Sequence, residues 1–159
     1  MSNTWICDTC GQTIKSVEDG WVEWLADKSD DRRRNYGLRL VHHVTAIQRR
    51  STYHGCQYDG NAEYERSQSI VGDMPLDNYV GPDGLMDLLA FLYDKDFKDD
   101  TEVLEMIKRL HVPGYEHAFR HFDAAIAAGV FEPNTAPGYY SQRDIKAVLE
   151  WLKDKDRSC

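Results

Sequence analysis

Cys7-Asp8-Thr9-Cys10-Gly11, read together with the distant Cys56, is the stretch on which the fold turns. Two thiolates separated by two residues can close on one metal ion from a single tight turn, and the glycine that follows lets the backbone fold beneath the sulfurs. A redox role for C-x-x-C asks for a preceding strand and a helix opening at the motif, within a βαβ unit. Here the motif begins at residue 7 and Gln12-Thr13-Ile14 follows it, so its position favours the metal.

Two further ligands must come from elsewhere in the chain. Apart from the terminal Cys159, Cys56 is the only remaining cysteine, and it reads as the third ligand. His42, His43 and His54 compete for the fourth position. Leu38-Arg39-Leu40-Val41-His42 has strand character, and side chains alternate between the faces of a strand. Arg39 reads as solvent-facing, which points His42 inward with Leu38 and Leu40. His43 is the rival, because a strand end can twist or bulge. His54 ranks third, two residues from Cys56 and awkwardly spaced for joint ligation. The set Cys7, Cys10, His42 and Cys56 is Cys₃His. Four protein ligands close a tetrahedral sphere, so the expected cofactor is a structural Zn2+, with iron as the other ion that such soft ligands suit. Over residues 5–56 the pattern resembles the knuckles of zinc-ribbon and treble-clef modules. Those modules usually offer two C-x-x-C pairs, and this chain offers one.

Around the site, Trp21-Val22-Glu23-Trp24-Leu25 reads as a strand after the turn Glu18-Asp19-Gly20, and Ile47 to Val71 reads as irregular loop. From residue 81 the apolar spacing turns helical. A helix runs through Leu85–Leu92, a second is capped by Thr101 and carries Val103, Met106, Ile107 and Leu110, and Pro113-Gly114 ends it. A third runs from Tyr115 to Ile126 with Gly129 just beyond its end. A fourth is opened by Ser141 and Asp144 and carries Ile145, Val148 and Leu149. The expected fold is therefore α+β: a zinc-stabilised β-containing unit over 1–80, packed on a bundle of about four helices over 81–159. Trp5, Trp21, Trp24 and the helix near Leu85 offer the means to share one core.

Charge narrows the functional classes. The chain has 159 residues, 27 of them acidic and 19 basic, for a net charge of -8. Residues 51–93 carry seven acidic residues and one basic residue, Arg66. Such a chain repels phosphate backbones at long range. Its one basic cluster, Arg32-Arg33-Arg34, directly follows Asp30-Asp31 and reads as a solvated loop. The N-terminal residues lack the basic and apolar regions of a secretory leader, and no apolar run is long enough to span a bilayer. These features predict a soluble cytoplasmic protein with reduced thiols. The function they favour is a protein-interaction or regulatory module whose partner is another protein. The acidic stretch would suit an inhibitor of nucleic-acid machinery that mimics a phosphate backbone. Nucleic-acid binding by a zinc-finger-like module is the first alternative, and the third helix argues against it, since Glu116, His117, Arg120, His121 and Asp123 nearly cancel in charge. A metal-dependent hydrolase or nuclease is the second; it would draw on His43, His54 and Asn61. His117 and His121 stand at i, i+4 and read as part of a solvated face.

Overall fold

A short antiparallel hairpin opens the chain. Strand β1 (Trp5–Ile6) pairs with β2 (Thr13–Ile14), Trp5 opposite Ile14. Between them the C-x-x-C segment turns back on itself, held by Cys7 N–H to the Gln12 carbonyl and Gly11 N–H to the Cys7 carbonyl, both at 2.9 Å. Gly11 sits at a φ of +71°, where a Cβ is strained. The computed structural model describes residues 3–44 and 55–158. Cys159 and residues 47–54 of the expected loop, His54 among them, lie outside the described residues. Contacts divide the chain into two units, Met1–His111 and Val112–Cys159.

The first unit is built on a three-stranded antiparallel sheet. Strand β3 (Gly20–Asp27) lies in the middle, with β4 (Asn35–His42) on one side and β5 (Ser69–Pro75) on the other. The expected strands at 21–25 and 38–42 are present and longer. The fold class is mixed α+β, with two small antiparallel sheets and helices. The segment 47–71 is less irregular than expected: its described part holds helix α1 (Gly60–Ser67) and the start of β5. Asp59 caps α1 by accepting the N–H groups of Asn61 and Ala62, and Gln68 ends it in the left-handed region. A polar helix whose own face buries nothing gives no apolar period to read.

Both faces of the sheet are covered, which is why β4 buries the adjacent residues Leu40 and Val41 instead of alternating cleanly. On one face Val22, Leu40 and Trp24 meet Leu88 of α2 (Gly81–Asp94), Val103 and Met106 of α3 (Asp100–His111), and Phe97 of the link between them. Trp24 stands edge-on to Tyr79, Phe91 and Phe97. Helices α2 and α3 thus belong to the same unit as the strands. Helix α3 begins one residue ahead of the expected cap Thr101, because the Asp99 carboxylate accepts the Thr101 N–H at 2.9 Å and does the capping. His111, the last residue of α3, bonds the Tyr79 carbonyl at 2.8 Å through Nε2.

The second unit holds α4 (Tyr115–Ala118), a 3₁₀ turn (Phe119–His121), α5 (Phe122–Ala127) and α6 (Gln142–Arg157). The expected third helix is therefore broken at its centre. The break keeps Tyr115, Ala118, Phe122 and Ala125 in one core with Ile145 and Val148 of α6. Glu116 is buried rather than exposed, and its carboxylate stands 3.7 Å from Arg120. Ser141 caps α6 as expected by accepting the Asp144 N–H.

Gly37 decides how β4 lies on β3. The register slips between Glu23 and Leu25, so an extra residue bulges on β4, and Gly37 adopts a φ of +68° there. A Cβ at this position would stand 2.8 Å from the Tyr58 hydroxyl. Gly37→Ala should lower stability by about 1–3 kcal/mol, read as a shift of the urea midpoint at unchanged slope.

Candidate metal centre

The site is assembled from three segments of the first unit. The hairpin tip supplies Cys7 and Cys10, the end of β4 supplies His42, and the turn entering α1 supplies Cys56. Their four ligand atoms all lie within 4.8 Å of one another. His42 Nδ1 is 3.4 Å from Cys10 Sγ and 3.8 Å from Cys56 Sγ. A tetrahedral ion with bonds of ~2.3 Å to sulfur and ~2.0 Å to nitrogen has N···S edges of about 3.6 Å, so these separations bracket the metal geometry. All three cysteines are free thiols rather than disulfides. Cys7 is buried, Cys10 is exposed, and Cys56 and His42 lie between.

The tautomer of His42 follows from its second nitrogen. Nε2 lies 3.3 Å from the Thr13 carbonyl, which can only accept a hydrogen bond. The proton therefore sits on Nε2, and the lone pair of Nδ1 faces the sulfurs, the arrangement found around metal-bound imidazoles. His43 points elsewhere: its ring stacks on Trp21 with centroids 4.4 Å apart and planes 10° from parallel. This is the alternation expected of a strand, carried one residue past the end of β4.

Two polar networks place the sulfurs, and neither was legible beforehand. The first runs through Asp8, inside the C-x-x-C. Its N–H donates to the Leu40 carbonyl at 2.8 Å, and its Oδ2 accepts the Leu40 N–H at 2.7 Å. The same oxygen accepts Arg109 Nη1 at 2.7 Å, while Arg109 Nη2 donates to the Ile6 carbonyl at 3.0 Å. The hairpin tip is thus fastened to β4 and to α3. The second network corrects the reading of Arg39. Its side chain is not solvent-facing: it pairs at 2.7 Å with Glu23, whose side chain is fully buried, and lies 3.5 Å over the Tyr58 ring. Glu23 also accepts the Tyr58 N–H, and Arg39 Nη2 donates to the Cys56 carbonyl at 3.2 Å. Thr9 Oγ1 donates to that carbonyl as well, at 2.7 Å. A buried carboxylate needs a cation, and the cation it recruits is what holds the turn carrying Cys56.

The sulfurs differ electrostatically. Burial pushes the Cys7 thiol up, but hydrogen bonds from the Cys10, His42 and Thr9 backbone N–H groups outweigh it, and the pKa falls to about 7. Burial pushes Cys56 up, and the neighbouring sulfurs of Cys10 and Cys7 push it further, to about 12. Three thiolates at this spacing repel one another unless a cation joins them, so the donor set itself fits a metal ion. His117 and His121 are exposed and stand in no such group; the Cys₃His set is the one found among the described residues.

Comparison with protein-family models, with curated proteins and with solved structures finds no match to this chain.

Removing Arg109 takes away the ion-pair partner of Asp8, which can still reach water. Arg109→Met should destabilise the protein by about 1–3 kcal/mol, and Asp8→Asn in the same chain should recover part of the loss in urea titrations. In metal-free protein the lowered pKa of Cys7 sets a sign. Its contribution to stability is full above the ordinary thiol pKa of ~8.5 and is lost as pH falls through about 7. Urea midpoints across that range, compared with those of Cys7→Ser, test it.

Proposed function

We propose that Cys7, Cys10, His42 and Cys56 hold one structural Zn2+, and that the protein is a cytoplasmic interaction or regulatory module whose surface the ion stabilises. The observation that carries this reading is the convergence of four donors from three chain segments to within 4.8 Å. Four protein ligands leave no open position for water or substrate, which favours a structural role over a hydrolytic one. Three sulfurs and one imidazole suit zinc, and the ordered lone pair of His42 Nδ1 supports the same assignment. Binding energies of such sites are of order 10–16 kcal/mol, comparable with the whole stability of a small domain. Loading would therefore decide whether the hairpin stays docked on β4. No helix among the described residues is long and apolar enough to cross a membrane. The interaction role rests on the closed site together with the acidic surplus of residues 51–93, which favours a basic protein partner over nucleic acid.

Protein purified without chelator should carry one zinc per chain by elemental analysis. Cys7→Ser and Cys56→Ser should each lower that content, and hydrogen exchange should show the Trp5–Ile14 hairpin opening while α6 stays protected. Cobalt substitution should give the intense ligand-field absorption of a tetrahedral, thiolate-rich site. Full metal content in Cys56→Ser, or iron in place of zinc, would overturn the assignment.

A further inference from the structure

Helix α2 carries three rows of side chains, and only one faces the core. Gly84 and Leu88 are buried, with Phe91 packed beside them. Met86, Leu89 and Tyr93 follow at i, i+3 and i+7 and form a second row, 65%, 43% and 87% exposed. Asp83, Asp87 and Asp94 form a third, one turn apart and then two turns on, all exposed. The three carboxylates meet no cation among the described residues, and Lys95, the nearest lysine in sequence, is committed to Asp100 at 2.6 Å. An apolar ridge beside a row of exposed carboxylates that meet no cation among the described residues is laid out for a helix that is apolar on one stripe and basic on its flank.

We propose that this face of α2 docks a basic amphipathic helix of a partner protein, seating apolar side chains against Met86, Leu89 and Tyr93 and lysine or arginine against Asp83, Asp87 and Asp94. The proposal rests on the interaction-module reading and names its surface. Charge complementarity selects the occupant. A second copy brings a net charge of -8 against -8, and two identical ridges packed antiparallel set one acidic row against the other. An anionic membrane is repelled by the same carboxylates.

The test uses the full-length, metal-loaded protein and a designed peptide of about four helical turns, with leucines on one stripe and lysines along one flank. A second peptide replaces lysine by glutamate. Fluorescence anisotropy should show the lysine peptide binding, more weakly as salt rises, with backbone amide shifts concentrated on α2. The glutamate peptide should bind roughly tenfold more weakly or worse, as should the lysine peptide to a Met86→Ser/Leu89→Ser variant. Asp83→Asn/Asp87→Asn/Asp94→Asn should weaken binding and flatten its salt dependence. These side chains are exposed, so unchanged thermal unfolding verifies that the variants fold. Absence of binding, equal affinity for the two peptides, an unaffected serine variant, or shifts centred away from α2 would overturn the proposal. So would self-association in sedimentation that the serine variant abolishes, which would assign the face to a second copy. Metal content measured on the same samples separates the two readings: a loaded protein that ignores the peptide refutes this surface alone, and a metal-free protein that binds it refutes the zinc site alone.

Discussion

The outer edge of β4 is the constraint on which the first unit depends. An edge strand leaves N–H and C=O groups unpaired, and buried groups of that kind must find partners. Along β4 they do so one after another. Asn35 pairs with the backbone of Asp96 and Lys98, the Leu38 N–H goes to the Glu102 carboxylate, and Leu40 exchanges two hydrogen bonds with Asp8. Closing the edge at Leu40 brings the C-x-x-C turn alongside the strand that ends in His42. The convergence of the Cys₃His set is thus a by-product of satisfying a strand edge, and Asp8 serves edge and site together.

A second requirement acts from the opposite face. Glu23 lies at the centre of the sheet with no exposed surface, where an ionised carboxylate is costly. Burial pushes its pKa up; the Tyr58 N–H and Arg39 work against that shift. The cluster Glu23, Arg39 and Tyr58 then fixes the chain at residues 56–58, and Tyr58 reaches across to the Gly37 carbonyl at 3.0 Å. The bulge, the buried ion pair and the position of Cys56 form one chain of cause. Geometry of this kind brings the three sulfurs together within the fold itself, which would lower the ordering cost of holding an ion there.

Helix α2 ties this framework to its surroundings. It packs Leu88 into the core shared by Val22 and Leu40 and turns a different row outward. Acidity that reads along the sequence as a diffuse surplus in residues 51–93 places Asp83 and Asp87 on a helix, where with Asp94 they form a line of three carboxylates beside three apolar side chains. The order of that surface depends on the sheet beneath it, and the sheet depends on the closed edge of β4.

Local chemistry was legible in the sequence. The C-x-x-C-G turn, both central strands, the caps at Ser141 and beyond Ile126, and the choice of His42 follow from short-range rules of spacing, alternation and capping, while Cys56 follows from the count of cysteines. What the sequence could not disclose was whatever depended on partners far along the chain. Arg39 looked solvent-facing because nothing near it reveals a buried Glu23, and Asp8 gave no hint of Arg109, which lies 101 residues away. The polar helix Gly60–Ser67 buries no face of its own and so left no period to find. The break at Phe119–His121 and the grouping of α2 and α3 with the strands were likewise tertiary decisions. A pattern rule sees which side chains can share a face; only packing decides which buried charges and open strand edges must meet.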